Sequence, residues 1–433
     1  MLIERARTPS PLFSAQDPSL KNLDKRHADQ RVTVDIHMPR APRGVTAKRP
    51  VLMIDGGSRG DIGVIRSLGM GGVPICLLAA DPQSPSAVSR YVTRVHPFPG
   101  LEASDEACLT AIQRAARESG TRPIMFATGD RALRLMSRHR AELAECVDHD
   151  LAPAETIDSY LDKDLFAPVA RTFDLPVPET FVPANATEAR ALAGRLPYPV
   201  FAKPVHRADW DRLPPNTVAS AKGQRIDSNA EMLRLLDALD TLGPSRFIIQ
   251  GFVEGGDHEH VSVHSYVLPD GTVTGTFIGS KLRIWPPYAG VGTLVVSLRI
   301  PELEVLSRQV IRRLGYTGFL DLQFKRDSRL GVYKLLEINC RYSVWTELPS
   351  RAGCNFPLAA YATLSGRPLP HIEQRERIAW LDLERDILGM MTYRASGEWG
   401  WGAWLRSLAD VRCCAYFAWD DLRPFFRKLR ERD

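Results

Sequence analysis

The segment Tyr333–Ser343, YKLLEINCRYS, decides how this chain is read. It has the texture of a β-strand, yet Glu337, Asn339 and Arg341 stand two apart within it. Side chains two apart on a strand share a face. One face therefore carries a carboxylate, an amide and a guanidinium, and Leu336 and Ile338 are expected on the other. A strand buried only for packing has no use for such a face, so it is expected to hold something polar.

A partner strand lies just upstream. FLDLQFKRD, Phe319–Asp327, reads as the first arm of a hairpin whose turn covers about Asp327 to Gly331. If Arg326 pairs with Val332, Asp321 falls directly opposite Glu337. Opposed residues have Cβ atoms about 4.5–5.5 Å apart, and two like charges there repel unless a cation compensates them. Asn339 lies one step further along that face. Two carboxylates and an amide oxygen form a hard, all-oxygen donor set suited to Mg²⁺ rather than Zn²⁺. Mg²⁺ takes its remaining ligands from water and substrate phosphates, and the planar fork of Arg341 suits a phosphoryl oxygen or a carboxylate. The competing reading is a surface hairpin whose polar face meets solvent.

Cations elsewhere weigh against that bland reading. Lys203 sits inside the apolar strand of YPVFAKPV, Tyr198–Val205, where an isolated ammonium is costly to bury unless an anion meets it. Lys281 and Arg283 in GSKLRIWPP alternate onto one face, just before the Gly-containing YAGVGT. Several cations, a loop able to approach phosphate and an acidic face together describe a nucleoside triphosphate site.

The rest of the chain sets the context. With 433 residues, 44% hydrophobic and 25% charged, it is long enough for two or three globular domains. A net charge of +5, much of it from the first fifty residues, excludes a dedicated nucleic-acid binder. Seven scattered cysteines without a CxxC pair suggest neither a disulfide framework nor a zinc site, and a cytoplasmic location is expected. No apolar run approaches the roughly 20 residues of a transmembrane segment, and MLIERARTPSPLF lacks the apolar stretch of a secretory signal.

Residues 1–48 read as a flexible, basic, Pro-rich tail. Residues 49–150 read as an α/β domain: Val51 to Ile54 and Val73 to Leu78 suit buried parallel strands, with Ile62, Ile65 and Leu68 at helical spacing between them. Gly56, Gly57, Gly60 and Gly63 do not match GxGxxG cleanly and follow Asp55, so a tight βα turn, lining a substrate pocket, is preferred to a dinucleotide site. Residues 151–365 read as α+β, with a helix over ETIDSYLDKDLFAPVARTFD, a hairpin turning at Asp270-Gly271, and a helix closed by Gly315. Residues 366–433 form an aromatic-rich region in which Trp399, Trp401 and Trp404 are expected to pack together. His206, His258, His260 and His264 are expected to serve packing or the site's edge rather than a metal.

The order of DSYLDKDLFAPVARTFDLPVPET, VFAKPV, FIIQGFVEGGDHEH, GFLDLQFKRD and LLEINCRYS resembles the ATP-grasp superfamily, in particular carboxylate–amine ligases of the carbamoyl-phosphate synthase and D-aspartate ligase type. The resemblance covers about residues 50–365 and implies a pre-ATP-grasp α/β domain followed by a two-lobed ATP-grasp domain, the small lobe about 195–253 and the large lobe about 254–365. It implies that ATP is bound by Lys163 and Lys203 at the phosphates and by a hinge at Gln250, Phe252 and Val253, with Glu254 or Glu259 meeting the adenine amine or ribose. It further implies Lys281, Arg283 and Arg341 as catalytic cations, and one or two Mg²⁺, or Mn²⁺, on Asp321, Glu337 and Asn339. The implied reaction is ATP-dependent activation of a small carboxylate for attack by an amine. A phosphotransferase without amide formation and an inactive nucleotide-binding scaffold are the alternatives. A homodimer is the implied assembly. Cys340 stands where the family has Pro, and Arg207 to Gly223 is poor in the glycines of the family's lid.

Overall fold

A computed structural model describes residues 48–205, 207–213, 217–218, 222–241, 246–288 and 290–431. The readings of the N-terminal tail, of His206 and of much of the lid fall outside these residues.

Four short apolar runs form the first sheet: β1 (Val51–Ile54), β2 (Ile75–Ala79), β3 (Val92–Pro97) and β4 (Ile124–Phe126), all parallel in the order β3-β2-β1-β4. Every residue of β1, β2 and β4 is buried, as expected of parallel strands covered on both faces. The helix Arg59–Met70 follows β1. Ser58 caps it, accepting from the N–H groups of Gly60 and Asp61, and Asp61 accepts in return from the Ser58 N–H. Asp61 also accepts from the Gly56 N–H at 3.1 Å and from the Thr128 hydroxyl. The Gly turn is thus filled by its own carboxyl group, and its Gly56 and Ser58 N–H groups are already engaged rather than open to a pyrophosphate.

The second sheet is antiparallel: β5 (Thr180–Phe181), β6 (Val200–Pro204), β7 (Gln224–Ile226) and β8 (Phe247–Gly251), in the order β5-β8-β6-β7. Its apolar face packs on the helices Ala186–Ala193 and Asn229–Asp240. The single helix expected over Glu155–Asp174 is two, Ala154–Leu161 and Lys163–Thr172, because Asp162 between them is extended (φ −102°, ψ 113°). That break points Lys163 at β6.

The third sheet has seven strands: β9 (His260–Val267), β10 (Val273–Trp285), β11 (Val291–Ser297), β12 (Gly318–Arg326), β13 (Tyr333–Asn339), β14 (Ala379–Leu381) and β15 (Val411–Cys414). Their order is β13-β12-β9-β10-β11-β14-β15, antiparallel except for the β14–β15 pair. The β9–β10 hairpin turns with Gly271 at φ 84°, and the helix Pro301–Leu314 ends on a left-handed Gly315 (φ 57°). The sheet continues past residue 365, since β14 and β15 extend it from β11. One core joins this sheet to the first domain: Leu322 and Ile338 share a cluster with Leu52 and Met125. Among the described residues no helix is long and apolar enough to cross a membrane.

Candidate active site

The hairpin β12–β13 does not pair as the sequence suggested. The Asp327 N–H donates to the Val332 carbonyl at 2.8 Å and Arg326 pairs with Tyr333, one residue later than expected. That shift alone would swing Glu337 and Asn339 to the face opposite Asp321. A bulge at Leu336 adds a second residue, so Phe324 pairs with Leu335 while Gln323 pairs with Glu337 and Asp321 with Asn339. Two one-residue shifts restore the parity and change the partners. The expected Asp321–Glu337 opposition is therefore corrected: each carboxylate faces an amide, which spares the sheet a direct repulsion. Leu336 is likewise corrected, since it lines the cleft while Leu335 and Ile338 are the buried pair.

Asn339 stands between the two acids, its Nδ2 3.5 Å from Asp321 Oδ2 and 3.3 Å from Glu337 Oε1. Gln323 Nε2 donates to the Asp321 carboxylate, and Lys281 Nζ donates to Gln323 Oε1. His264 stacks on Trp345 at 4.2 Å, and its Nε2 lies 3.4 Å from Asp321 Oδ1, within ion-pair reach but without hydrogen-bond geometry. Two carboxylates converging on one amide are a place where a hard cation would relieve repulsion. They fit a Mg²⁺ that completes its shell from phosphates and water, and the described residues contain no cluster of three or more His, Cys, Asp or Glu for a protein-only cage.

The cations lie where the strand pattern put most of them. Burial raises the Glu337 carboxyl, but the ammonium groups of Lys203, Lys281, Lys163 and Lys222 outweigh it and hold the group below its usual range. Burial lowers Lys203 to about 8 against the opposing pull of Glu337, and lowers Lys281 against Asp321 and Glu337. Lys163 Nζ donates to the carbonyls of Pro204 and Val205 at 3.0 and 3.2 Å, tying its helix to β6.

Arg283 is the exception. Lys281 pairs with Val295 but Arg283 with Leu294, and this bulge at Leu282 turns Arg283 to the opposite face. Its buried guanidinium donates to both Asp386 carboxylate oxygens at 2.8 Å and to Ser407 Oγ at 2.9 Å, and lies 4.7 Å from the Trp399 ring. It anchors the C-terminal region and does not reach the cleft. Arg341 does line the cleft, and its guanidinium is paired with Asp130 at the start of the helix Asp130–Arg138. The first domain thus reaches the site through Asp130, a contact across 211 positions that strand spacing could not show.

The cleft encloses about 350 Å³ between the second and third sheets. Phe201, Ile248, Phe252 and Leu336 supply an apolar part, and Lys163, Lys203, Lys222, Lys281, Lys325 and Arg341 a cationic one. Gln250 is buried and donates from Nε2 to Thr180 Oγ1 at 3.1 Å. The Phe252 N–H is engaged by the Pro199 carbonyl at 3.1 Å, and the Val253 carbonyl by Lys325 Nζ at 2.8 Å. Two of the hinge groups expected to meet adenine are therefore already bonded, while the Val253 N–H has no protein partner among the described residues. Glu254 and Glu259 are not among the residues lining the cleft, and Glu254 lies 3.9 Å from Arg225. Asp321 stands behind Asn339 rather than on the cleft wall.

Lys325 is missing from the cations expected at the site, although it alternates with Asp321 and Gln323 and so shares their face. The Gly turn, expected to line a substrate pocket, instead packs against the segment that follows Arg341 and is not among the residues lining the cleft. A Cβ at Gly60 would stand 3.1 Å from the Ser343 carbonyl oxygen, and Trp345 is buried against His264. Cys340 lies in the core cluster, away from the acids.

The chain is similar to known proteins in sequence and in fold. No family model matches the chain. D-aspartate ligase of Enterococcus faecium (strain Aus0004) is 28% identical over 305 residues, covering 67% of this chain and 70% of that protein. Among solved structures, an L-amino acid ligase from Bacillus licheniformis superposes with a TM-score of 0.56 at 16% identity, over 77% of this chain and 79% of that one. A biotin carboxylase from Campylobacter jejuni, in a β,γ-ATP complex, superposes with a TM-score of 0.58 at 15% identity, over 76% of this chain and 74% of that one. The chain thus has the fold of these solved ligase and carboxylase structures and is similar in sequence to D-aspartate ligase.

Proposed function

We propose that the protein joins a carboxylate to an amine at the expense of ATP, through an acyl phosphate. The observation that carries this reading is the acid pair Asp321 and Glu337, bridged by Asn339 and faced by lysines in a cleft between two lobes. A free carboxylate resists attack by an amine because its negative charge is delocalised over both oxygens. Transfer of the γ-phosphoryl group to one of those oxygens releases ADP and creates a leaving group. The amine nitrogen then attacks the carbonyl carbon, inorganic phosphate departs, and the nitrogen loses a proton to solvent.

Phosphoryl transfer needs position and charge neutralisation more than covalent help. Lys163 and Lys203 would hold the phosphates, and Phe201, Ile248 and Phe252 the base. Gln250, behind that wall, would fix the hinge through Thr180. Lys281 and Arg341 would meet the transferring group and the substrate carboxylate, with Asp130 fixing the Arg341 fork. Asp321, Glu337 and Asn339 would hold Mg²⁺, which neutralises phosphate charge when bound. We assign residues 49–150 to the first domain, about 195–253 to the small lobe and about 254–365 to a large lobe that β14 and β15 complete. The seven free cysteines fit work in the cytoplasm.

A screen of amino-acid and amine pairs for phosphate release tests the proposal. Release that requires both a carboxylate and an added amine is the expected result. A stable phosphorylated product formed equally well without amine would replace the ligase reading with a phosphotransferase.

A further inference from the structure

The helix Leu383–Ala395 buries Asp386, Gly389, Met390 and Tyr393. A surface helix ordinarily turns polar residues to the opposite side. Here Leu383, Ile387 and Met391 recur at four-residue steps with Leu388 beside them, all between 38% and 59% exposed. The next helix, Trp401–Ser407, exposes Trp401 and Leu405, one turn apart, at 43% and 62%. The Arg394 guanidinium stands 5.8 Å from the Trp401 ring, so the two apolar stripes adjoin. Of the sixteen exposed large hydrophobic side chains among the described residues, nine fall after residue 382. This surface is therefore concentrated in one region rather than scattered as single residues.

Its charge is predominantly positive. Arg394, Arg406 and Arg423 have no carboxylate partner among the described residues, whereas Glu384 lies 3.8 Å from Arg59 and Glu398, between the two helices, accepts from the Tyr288 and Ser396 hydroxyls. Arg59 also stacks over Tyr416 at 5.3 Å, and Lys428 lies over the same ring at 5.8 Å. The final helix, Arg423–Arg430, thereby joins the neighbourhood with Phe426 at 54% exposure and nearby Trp419 at 85%. A second copy docked on this face by a two-fold axis would set arginine against arginine. An anionic bilayer supplies the opposite sign and an apolar interior together: arginines pair with lipid phosphates while tryptophan, leucine and methionine enter the headgroup boundary.

We propose that the face formed by Leu383–Ala395 and Trp401–Ser407 docks the protein on an anionic lipid surface. Sedimentation of the full chain with vesicles of phosphatidylcholine alone, or mixed with phosphatidylglycerol, tests this. Binding to the mixed vesicles is expected, weakened by salt. Met391→Glu with Leu405→Glu should lower it about tenfold or more, and Arg394→Ala with Arg406→Ala about thirty-fold at low salt. All four positions are on the exposed face, and an unchanged melting temperature and circular dichroism spectrum show that the variants fold. Equal binding to both vesicle types, or to neither, would overturn the proposal. So would a dimer in sedimentation velocity that Met391→Glu dissociates while vesicle binding stays absent.

Discussion

Arg283 and Lys281 stand two apart on β10 and have opposite fates. Lys281 reaches Gln323 in the cleft, while Arg283 is sealed against Asp386 with both partners fully buried. Removing one member of a buried pair leaves an uncompensated charge, at a cost of about 3–5 kcal/mol. Arg283→Met should therefore lower the melting temperature markedly in a calorimetric scan, and Asp386→Asn with Arg283→Met should recover much of the loss. A catalytic role for Arg283 would show the reverse pattern: loss of turnover in a protein that melts normally. Lys325, by contrast, could have been found from spacing alone, because it continues the alternation of Asp321 and Gln323.

Bulges explain what the sequence left hidden at the scale of the strand. The polar face of YKLLEINCRYS was legible because alternation is a property of one strand. Its register was not, because a bulge is settled between two strands and leaves no mark in the period of either. Leu336 and Leu282 both read as ordinary core residues, and each shifts the pairing of its strand by one position. Deleting Leu336 should close the bulge and leave Glu337 opposite Gln323 and Asn339 opposite Asp321, so that ATP turnover falls less than tenfold in a chain still folded by circular dichroism. A hundredfold loss would contradict this register.

The Gly turn after β1 makes stability depend on pH. Burial, opposed by the Thr128 hydrogen bond and aided by Asp55, raises the Asp61 carboxyl to about 7. The native chain then keeps a proton on Asp61 between about pH 4 and 7 that the unfolded chain has lost, its carboxyl titrating near 3.9. Stability from this group therefore falls as pH rises through that window and levels off above about 7. Urea unfolding at several pH values should show the slope in the wild type and a flatter line in Asp61→Asn. An identical slope in both would contradict it.

The whole molecule places one cleft at the meeting of all three sheets. The second sheet brings Lys203, the third brings Glu337 and Asn339, and the first domain contributes Asp130 to hold Arg341. The C-terminal region also reaches this cleft: Tyr393 donates to Asp257 at 2.6 Å, and Asp257 accepts from the N–H of Tyr288 on the cleft wall at 2.8 Å. The parallel first domain and the strand-rich body were legible from apolar runs and turn residues. The joining of the C-terminal strands to the large sheet was not, because three-residue β14 carries too little period to be read. An acyl phosphate formed in this cleft would be open to attack by hydroxylamine. Hydroxylamine trapping in the presence of ATP, Mg²⁺ and an amino-acid pool would capture that intermediate. Hydroxamate should form in step with ADP in the wild type and vanish in Glu337→Gln, while ADP release with no hydroxamate from any carboxylate, or undiminished hydroxamate in Glu337→Gln, would contradict its formation there.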